Sequence, residues 1–378
     1  MSMITVTHTP TYELKQVQRD VAFHLEQFHI AGRITPEMRV LIKPNLLMKR
    51  RPEEFTTTHP SLVEAVICYL KEAGIHNITV ADSPGGLYTA QALKGIYDVS
   101  GMTEVCQRQQ VNLNFTTDSR EVRREENKLV KSFPLIQPVC EADFIIDIAK
   151  LKTHAMTGLS GAVKNLFGCI PGLTKPEFHW RFPEKELFGD MLIDLCETVR
   201  PGFALVDGVH AMEGDGPSGG DKRELHMIAA SDQLYDLDLF LCHVIGADPQ
   251  KICMVKSAID RRLCCGDLQK LDIIGDVPQA KPFAIPQDKG VDFMGQVPAP
   301  LRGVTKKFVN RFFTSRPVIR KRDCIGCGKC AQSCPAKTIR IQDKKAVISY
   351  QRCIHCFCCH EMCPVKAIDI KRTKLFDH

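Results

Sequence analysis

Eight of the eighteen cysteines fall in two runs of the form C-x-x-C-x-x-C-x-x-x-C-P near the end of the chain. The first holds Cys324, Cys327, Cys330, Cys334 and Pro335; the second holds Cys353, Cys356, Cys359, Cys363 and Pro364. Thiolates are soft ligands, and four of them suit an iron–sulfur cubane. Two-residue gaps let three thiolates of one loop wrap one face of a cluster. The fourth, followed by a helix-breaking proline, turns away to the other cluster. The spacing therefore predicts two 4Fe–4S clusters, one on Cys324, Cys327, Cys330 and Cys363, the other on Cys353, Cys356, Cys359 and Cys334. CPAKTIRI (334–341) returns 29 residues later as CPVKAIDI (363–370), and the apolar alternation after each proline predicts a small β-ribbon over the clusters. Zinc more often sits in paired C-x-x-C knuckles with histidine, and a disulfide scaffold belongs to secreted chains. Cys358 lies off the pattern and reads as a flanking structural thiol, with His355 and His360 as neighbours of the sulfurs.

The remaining chemistry-bearing residues must be held by an α/β body. RVLIKP (39–44) reads as a buried strand, PSLVEAVICYLKEAG as an amphipathic helix opened by Pro60 and stopped at Gly74, and NITV as a second strand. VNLNF (111–115) reads as a further strand and SREVRREENK as a surface loop or hairpin. DFIIDIA (143–149) predicts a central strand, FALVDG (203–208) and LHMIAAS two more, and helices follow Phe182 and Ser231. Strands alternating with helices predict a mostly parallel sheet layered with helices, in which ligands bind beyond the carboxyl ends of the strands. Four segments would end there: Lys43 and Asn45; Ser83, Gly85 and Gly86; Lys152, Thr153 and His154; and Asp207. Lys164 and Asn165 add donors, and Gly158, Gly161, Gly168 and Gly172 allow close backbone approach. Cationic tips over backbone N–H groups suit a small anionic ligand such as a carboxylate or phosphate. Lys152, His154 and Lys164 are the candidate catalytic residues, binding the anion and supplying protons. The bland reading makes the lysines solvated strand ends and His154 a hydrogen-bonded structural residue. GDGPSG (214–219) matches G-x-G-x-x-G but contains Pro217 and precedes a strand, so it reads as a turn, or as a carboxylate loop holding a divalent cation near Asp215. No fingerprint for flavin or nicotinamide is present.

The terminal runs resemble the 2×(4Fe–4S) bacterial ferredoxin module. IKPNLL, ADSPGG, KLKTHAMTGLSGAVKNLFGCIPG, DGVHAMEGDGP and SDQLYDLDLF, in that order, resemble the signature blocks of the family termed domain of unknown function 362, which often carries such a module. The resemblance implies an iron–sulfur redox protein with an α/β body, and no particular reaction. A more distant likeness to lactate-racemase enzymes lies in the lysine and Pro-Gly loop.

Length and charge complete the reading. The 378 residues divide as a body (1–275), a Pro-rich linker with a basic amphipathic helix (276–314) and the cysteine module (315–378). The module carries 14 Lys+Arg against 5 Asp+Glu, whereas the whole chain is +6. A basic module suits an acidic electron donor such as a ferredoxin or flavodoxin; without stacking aromatics, it does not point to nucleic acid. No signal peptide or transmembrane run is apparent, although the helix 301–313 offers a peripheral membrane contact. Reduced cysteines and oxygen-sensitive clusters suggest an anaerobic cytoplasm. The sequence thus points to a reductase fed by clusters; the alternatives are an electron-transfer or redox-sensing protein whose body binds a partner, or a cofactor-assembly scaffold.

Overall fold

In the computed structural model, residues 2–279, 281–286 and 316–371 are described. The body is built on strands β1 (Ser2–His8), β2 (Val40–Pro44), β3 (Ile78–Val80), β4 (Asn112–Leu113), β5 (Ser119–Arg123), β6 (Ser132–Ile136), β7 (Phe144–His154), β8 (Gly158–Ser160), β9 (Phe203–Glu213), β10 (Asp221–Ser231) and β11 (Leu271–Gly275). Nine of them form one sheet in the order β11-β1-β10-β9-β7-β2-β3-β4, with β8 against β7. The run β9-β7-β2-β3-β4 is parallel, and β10 pairs antiparallel with both neighbours. The expected mostly parallel sheet is present. β5 and β6 form a separate antiparallel hairpin, one of the two forms expected of that polar stretch.

Successive side chains on a strand face opposite ways, so the sheet has a core on each face. Val40, Ile42, Ile146 and Ile148 join one core; Leu41, Ile145, Ala149 and Leu151 join the other. Each such Val, Ile or Leu side chain contributes about 1.5–3 kcal/mol by leaving water. The helix Pro60–Glu72 starts with proline in its first turn and is capped by His59, whose side chain accepts from the Ser61 N–H. It packs on the same face as Val40 and Ile42.

Two segments are more regular than the sequence suggests. β7 runs on through Lys152-Thr153-His154, so these residues lie in a strand and not in a loop after it. Likewise, most of the stretch between FALVDG and LHMIAAS is the paired ends of β9 and β10. Polarity alone reads such segments as loops, but the β7 end gains ladder bonds from β8 and β9. Its polar side chains are compensated inside the protein.

In the module, β12 (Arg316–Ile319) pairs with β15 (Ile368–Lys371), and β13 (Ile339–Gln342) with β14 (Lys345–Ile348). The 29-residue repeat is also a repeat of backbone shape: positive φ recurs at Gly326 and His355, Gly328 and Phe357, and Lys337 and Lys366. One-turn helices Lys329–Gln332 and Cys358–Glu361 follow the same interval. Most of the linker, including the expected helix 301–313, lies outside the described residues. Phe283, before it, is buried and bonds through its N–H to the Ile245 carbonyl. Among the described residues, no helix is long and apolar enough to cross a membrane.

Gly161 shows why the central block is glycine-rich. Asp238 accepts the N–H groups of Ala162 and Val163 at 2.7 and 3.1 Å, and a Cβ at Gly161 would stand 2.0 Å from its Oδ1. Gly161→Ala is therefore expected to destabilise the fold by about 1–3 kcal/mol, whereas Gly32→Ala, with nothing within 4 Å of the new atom, should be neutral or slightly stabilising. Thermal unfolding of the two variants checks the pair; equal midpoints would remove the steric account.

Candidate functional site

Strands β2, β3 and β7 end on one side of the sheet, and just beyond them a cavity of about 80 Å³ opens between body and module. The body contributes Asn45, Ser83, Gly85, Gly86, Lys152, Lys164, Asn165, Lys175 and His179; the module closes it with Cys358, Glu361 and Met362. Met362 fits because Gly85 has no side chain: a Cβ there would lie 2.6 Å from the methionine sulfur.

The floor is a hydrogen-bonded row with a single sense. Lys152 Nζ donates to Asn45 Oδ1 at 2.6 Å, Asn45 Nδ2 to Asn165 Oδ1 at 2.7 Å, and Asn165 Nδ2 to Asp147 Oδ1 at 2.8 Å. Burial, reinforced by Lys164 and Lys150, pushes the Lys152 pKa well below the ordinary lysine value. Burial also lowers that of Lys164, against the pull of Glu361. Lys164 Nζ lies over the Phe167 ring, 5.7 Å from its centre. Lys175 donates to the Ser83 carbonyl, and burial brings its pKa down to about 8. Ser83 Oγ and His179 Nδ1 are buried with no hydrogen-bond partner among the described residues. Such groups are costly unless something satisfies them. Orphaned polar atoms, cations and an amide-lined floor can hold a small anion.

Glu361 enters this cationic site from the module. Burial works against its charge, but His154, Lys164 and His179 outweigh that and hold its pKa at about 2. His154 stands behind it, fully buried, with Nδ1 accepting from the N–H groups of Met156 and Thr157 at 3.1 and 3.2 Å. The proton of the neutral ring therefore sits on Nε2, 3.0 Å from Glu361 Oε1. That contact is close but off the line of a well-directed hydrogen bond. Burial lowers the His154 pKa to about 4. His154 holds a turn and faces the module carboxylate; it does not line the cavity.

The other expected residues divide. Lys43 is buried behind the cavity and pairs with Asp82 at 3.0 Å, where the carboxylates Asp82 and Asp147 outweigh burial and raise its pKa. Gly168 permits this pair: a Cβ there would lie 2.1 Å from Asp82 Oδ1. Thr153 donates to the Gly214 carbonyl at 2.9 Å, away from the cavity. Asp207 lies elsewhere, buried between Lys150 at 2.8 Å, Tyr12 at 2.7 Å and the His59 N–H at 2.9 Å. With both oxygens hydrogen-bonded there, it is not part of the cavity wall. The carboxylates near Asp215 do not converge: Glu213 pairs with Arg223 at 3.4 Å, and the Asp215 carbonyl faces His360 Nε2 at 3.0 Å. Among the described residues no metal-ligating group forms there, so the expected divalent cation is without support. His360, with its other ring nitrogen 2.6 Å from the Ile368 carbonyl, joins module to body. Asp82, Lys175, His179 and Glu361 were not singled out in the sequence. Only Asp82, inside ADSPGG, offered a local signal.

The cysteines gather in two further cavities of about 20 Å³ each. One is walled by Cys324, Cys327, Cys330 and Cys363, the other by Cys334, Cys353, Cys356 and Cys359. Backbone N–H groups of Ala346, Ala367 and Thr338 point at the sulfurs of Cys324, Cys363 and Cys334 at 3.4, 3.1 and 3.3 Å. Four sulfurs around a small enclosed space, with N–H donors, fit an iron–sulfur cubane. Cys358 lies in the wall of the second cysteine cavity and also in that of the interface cavity.

A profile for the family described as Domain of unknown function (DUF362) matches residues 40–243, and one for a 4Fe-4S dicluster domain matches residues 316–364. The chain is 30% identical over 257 residues to a thylakoid-associated protein of Synechocystis sp., an alignment covering 66% of this chain and 76% of that one. Among solved structures, the lactate racemase apoprotein of Thermoanaerobacterium thermosaccharolyticum is similar with a TM-score of 0.39 and 13% identity, over 67% of this chain and 58% of that one. A protein of Thermotoga maritima gives 0.37 and 13%, over 65% and 59%. The chain thus spans less than two thirds of the length of either structure. With one profile over more than half of the sequence and the other over its cysteine runs, the chain belongs to the DUF362 family and carries a ferredoxin-type 4Fe–4S domain.

Proposed function

We propose that the protein is a reductase in which two 4Fe–4S clusters, held by the module's eight ligand cysteines, deliver electrons to a small anion bound in the interface cavity. The observation that carries this reading is Cys358, the side chain shared by the walls of the anion cavity and the second cysteine cavity. Bound clusters supply one-electron transfer; the chain's own side chains bind, orient and protonate. Lys164 and Lys152 attract the anion, while Ser83 Oγ and His179 Nδ1 are free to hydrogen-bond it. The volume of about 80 Å³ falls well below the roughly 300–1,000 Å³ of drug-sized sites. A ligand of a few heavy atoms fits; a flavin or dinucleotide does not. The proton donor is reassigned from His154, which is walled off, to Lys175, whose pKa of about 8 lies near a working pH, as general acid catalysis favours.

An anion in the cavity stabilises the ammonium form of Lys175, so binding takes up a proton once the pH exceeds its ligand-free pKa of about 8. Affinity for formate or acetate, measured by calorimetry under anaerobic conditions, should be highest below that pH and fall as pH rises through it. Lys164→Ala should weaken binding at least tenfold with both clusters retained. Affinity flat from pH 6 to 9 and indifferent to Lys164→Ala would reject the anion site.

Cys358 also shares the wall of the second cysteine cavity with Cys356, and groups beside ligand sulfurs tune cluster potentials. Anaerobically prepared protein should hold about eight irons and eight labile sulfides per chain, and Cys358→Ala should keep them. Its effect should be a more negative potential for one cluster, largely restored by Cys358→Ser. Stoichiometric zinc without sulfide would overturn the cluster assignment; an unchanged potential would remove Cys358 from the electron path.

A further inference from the structure

The two cysteine cavities differ in what covers them. Three large apolar side chains in the wall of the Cys324/Cys327/Cys330/Cys363 cavity are exposed: Ile325 at 62%, Val365 at 40% and Ile341 at 39%. Cys327 itself is exposed. The other cavity is lined by Ile339, Ile348, Ile354 and Phe357, none of them exposed, and it shares Cys358 with the anion cavity. The module therefore has an outer cysteine site with an apolar window and an inner one turned to the body.

The window has a basic rim. Lys321 and Arg322 precede Cys324, Lys329 precedes Cys330, and all three are exposed. Lys344, also exposed, packs its backbone on the cysteine loop, its carbonyl 2.3 Å from where a Gly326 Cβ would stand. Lys345 Nζ donates to the Cys324 carbonyl at 2.7 Å. The module's described acidic groups are mostly engaged: Asp323 and Asp369 pair with Arg320, and Glu361 faces the body. Asp343 is the remaining exposed carboxylate among the module's described residues. An apolar centre with a mostly basic rim is the anatomy of a transient protein interface, where charge steers the encounter.

We propose that this window is the docking surface for an acidic one-electron carrier protein, and that electrons enter at the Cys324/Cys327/Cys330/Cys363 site and leave by the Cys358 side. The carrier is oxidised by one electron and the module reduced by one; no atom is transferred. The direction of flow rests on the reductase reading, but the docking surface can be tested apart from it.

The test uses full-length, cluster-loaded protein and an acidic flavodoxin in its reduced state. Stopped-flow reduction at low salt should slow at least tenfold for Lys344→Glu and Arg322→Glu. Arg352→Glu, an equal charge change beside Cys353 of the inner site, should alter it less than threefold. Reduction by dithionite should be the same in all, showing that the clusters remain intact. Zero-length carbodiimide cross-links from flavodoxin should fall on Lys321, Lys329 and Lys344, a readout independent of electron flow. Equal effects at both faces, or cross-links confined to carboxylates of the protein's own body, would overturn the proposal. So would binding to phosphatidylglycerol vesicles that the same reversals abolish while flavodoxin reduction is unaffected. Failure of anion binding would sink the reductase reading and leave this result standing.

Discussion

Lysine side chains crowded at the end of a central β-sheet, out of bulk water, set the terms for the rest of the molecule. Lys43, Lys150 and Lys152 are fully buried on β2 and β7, and an unpaired buried ammonium costs several kcal/mol. Each lysine meets a different compensation. Lys43 has Asp82, Lys150 has Asp207 and Tyr12, and Lys152 has the Asn45 amide and the Thr56 carbonyl. Removing one partner of either buried pair would cost about 3–5 kcal/mol. The loops after the strands are therefore held in place by charge as much as by packing, and glycine at position 168 lets the Lys43–Asp82 pair sit against them.

Compensation is incomplete at Lys164 and Lys175, and there the second domain enters. Glu361 brings a carboxylate into the cavity from the module, on the helix Cys358–Glu361 that also presents Cys358. Its carbonyl accepts from Ser218 Oγ at 3.2 Å, and the adjacent His360 faces the Asp215 carbonyl. One helical turn thus does three things: it offsets positive charge, fixes the module on the body and sets a cysteine cavity against the interface cavity. Neither domain alone has the site.

The internal repeat shows how two halves of one backbone shape come to differ in what covers them. Both halves keep the backbone shape, down to positive φ at Gly326 and Gly328 in one and at His355 and Phe357 in the other. A non-glycine residue in that conformation costs roughly 1–2 kcal/mol, so glycine is the cheaper choice where packing does not decide. In the second half those positions carry side chains, and Phe357 is buried in the wall of the inner cavity. The first half keeps glycines and an exposed Ile325. One half is covered by its own side chains and by the body; the other leaves Ile325 and Cys327 exposed.

Spacing rules and periodicity were enough for the parts of this protein governed by local or one-dimensional constraints. Two identical cysteine runs with terminal prolines specify thiolate geometry within a few residues, and the cross-ligated sets coincide with the two cysteine cavities. Apolar runs such as VLIKP and FIIDIA, short and rich in β-branched residues, read as buried strands, and the glycines of 158–172 marked close packing. The identity of the pocket's walls was a different matter. Polar character at Lys152-Thr153-His154 suggested a loop, because solvation is the default fate of such residues; only the neighbouring β8 and β9 and the buried partners make it a strand. Asp207 shares a sheet edge with the site by sequence logic, yet Lys150 claims it. Lys175, His179 and above all Glu361 converge from segments whose meeting depends on how the module docks. No local pattern encodes that docking, since it arises from charge balance and shape between surfaces distant in the chain.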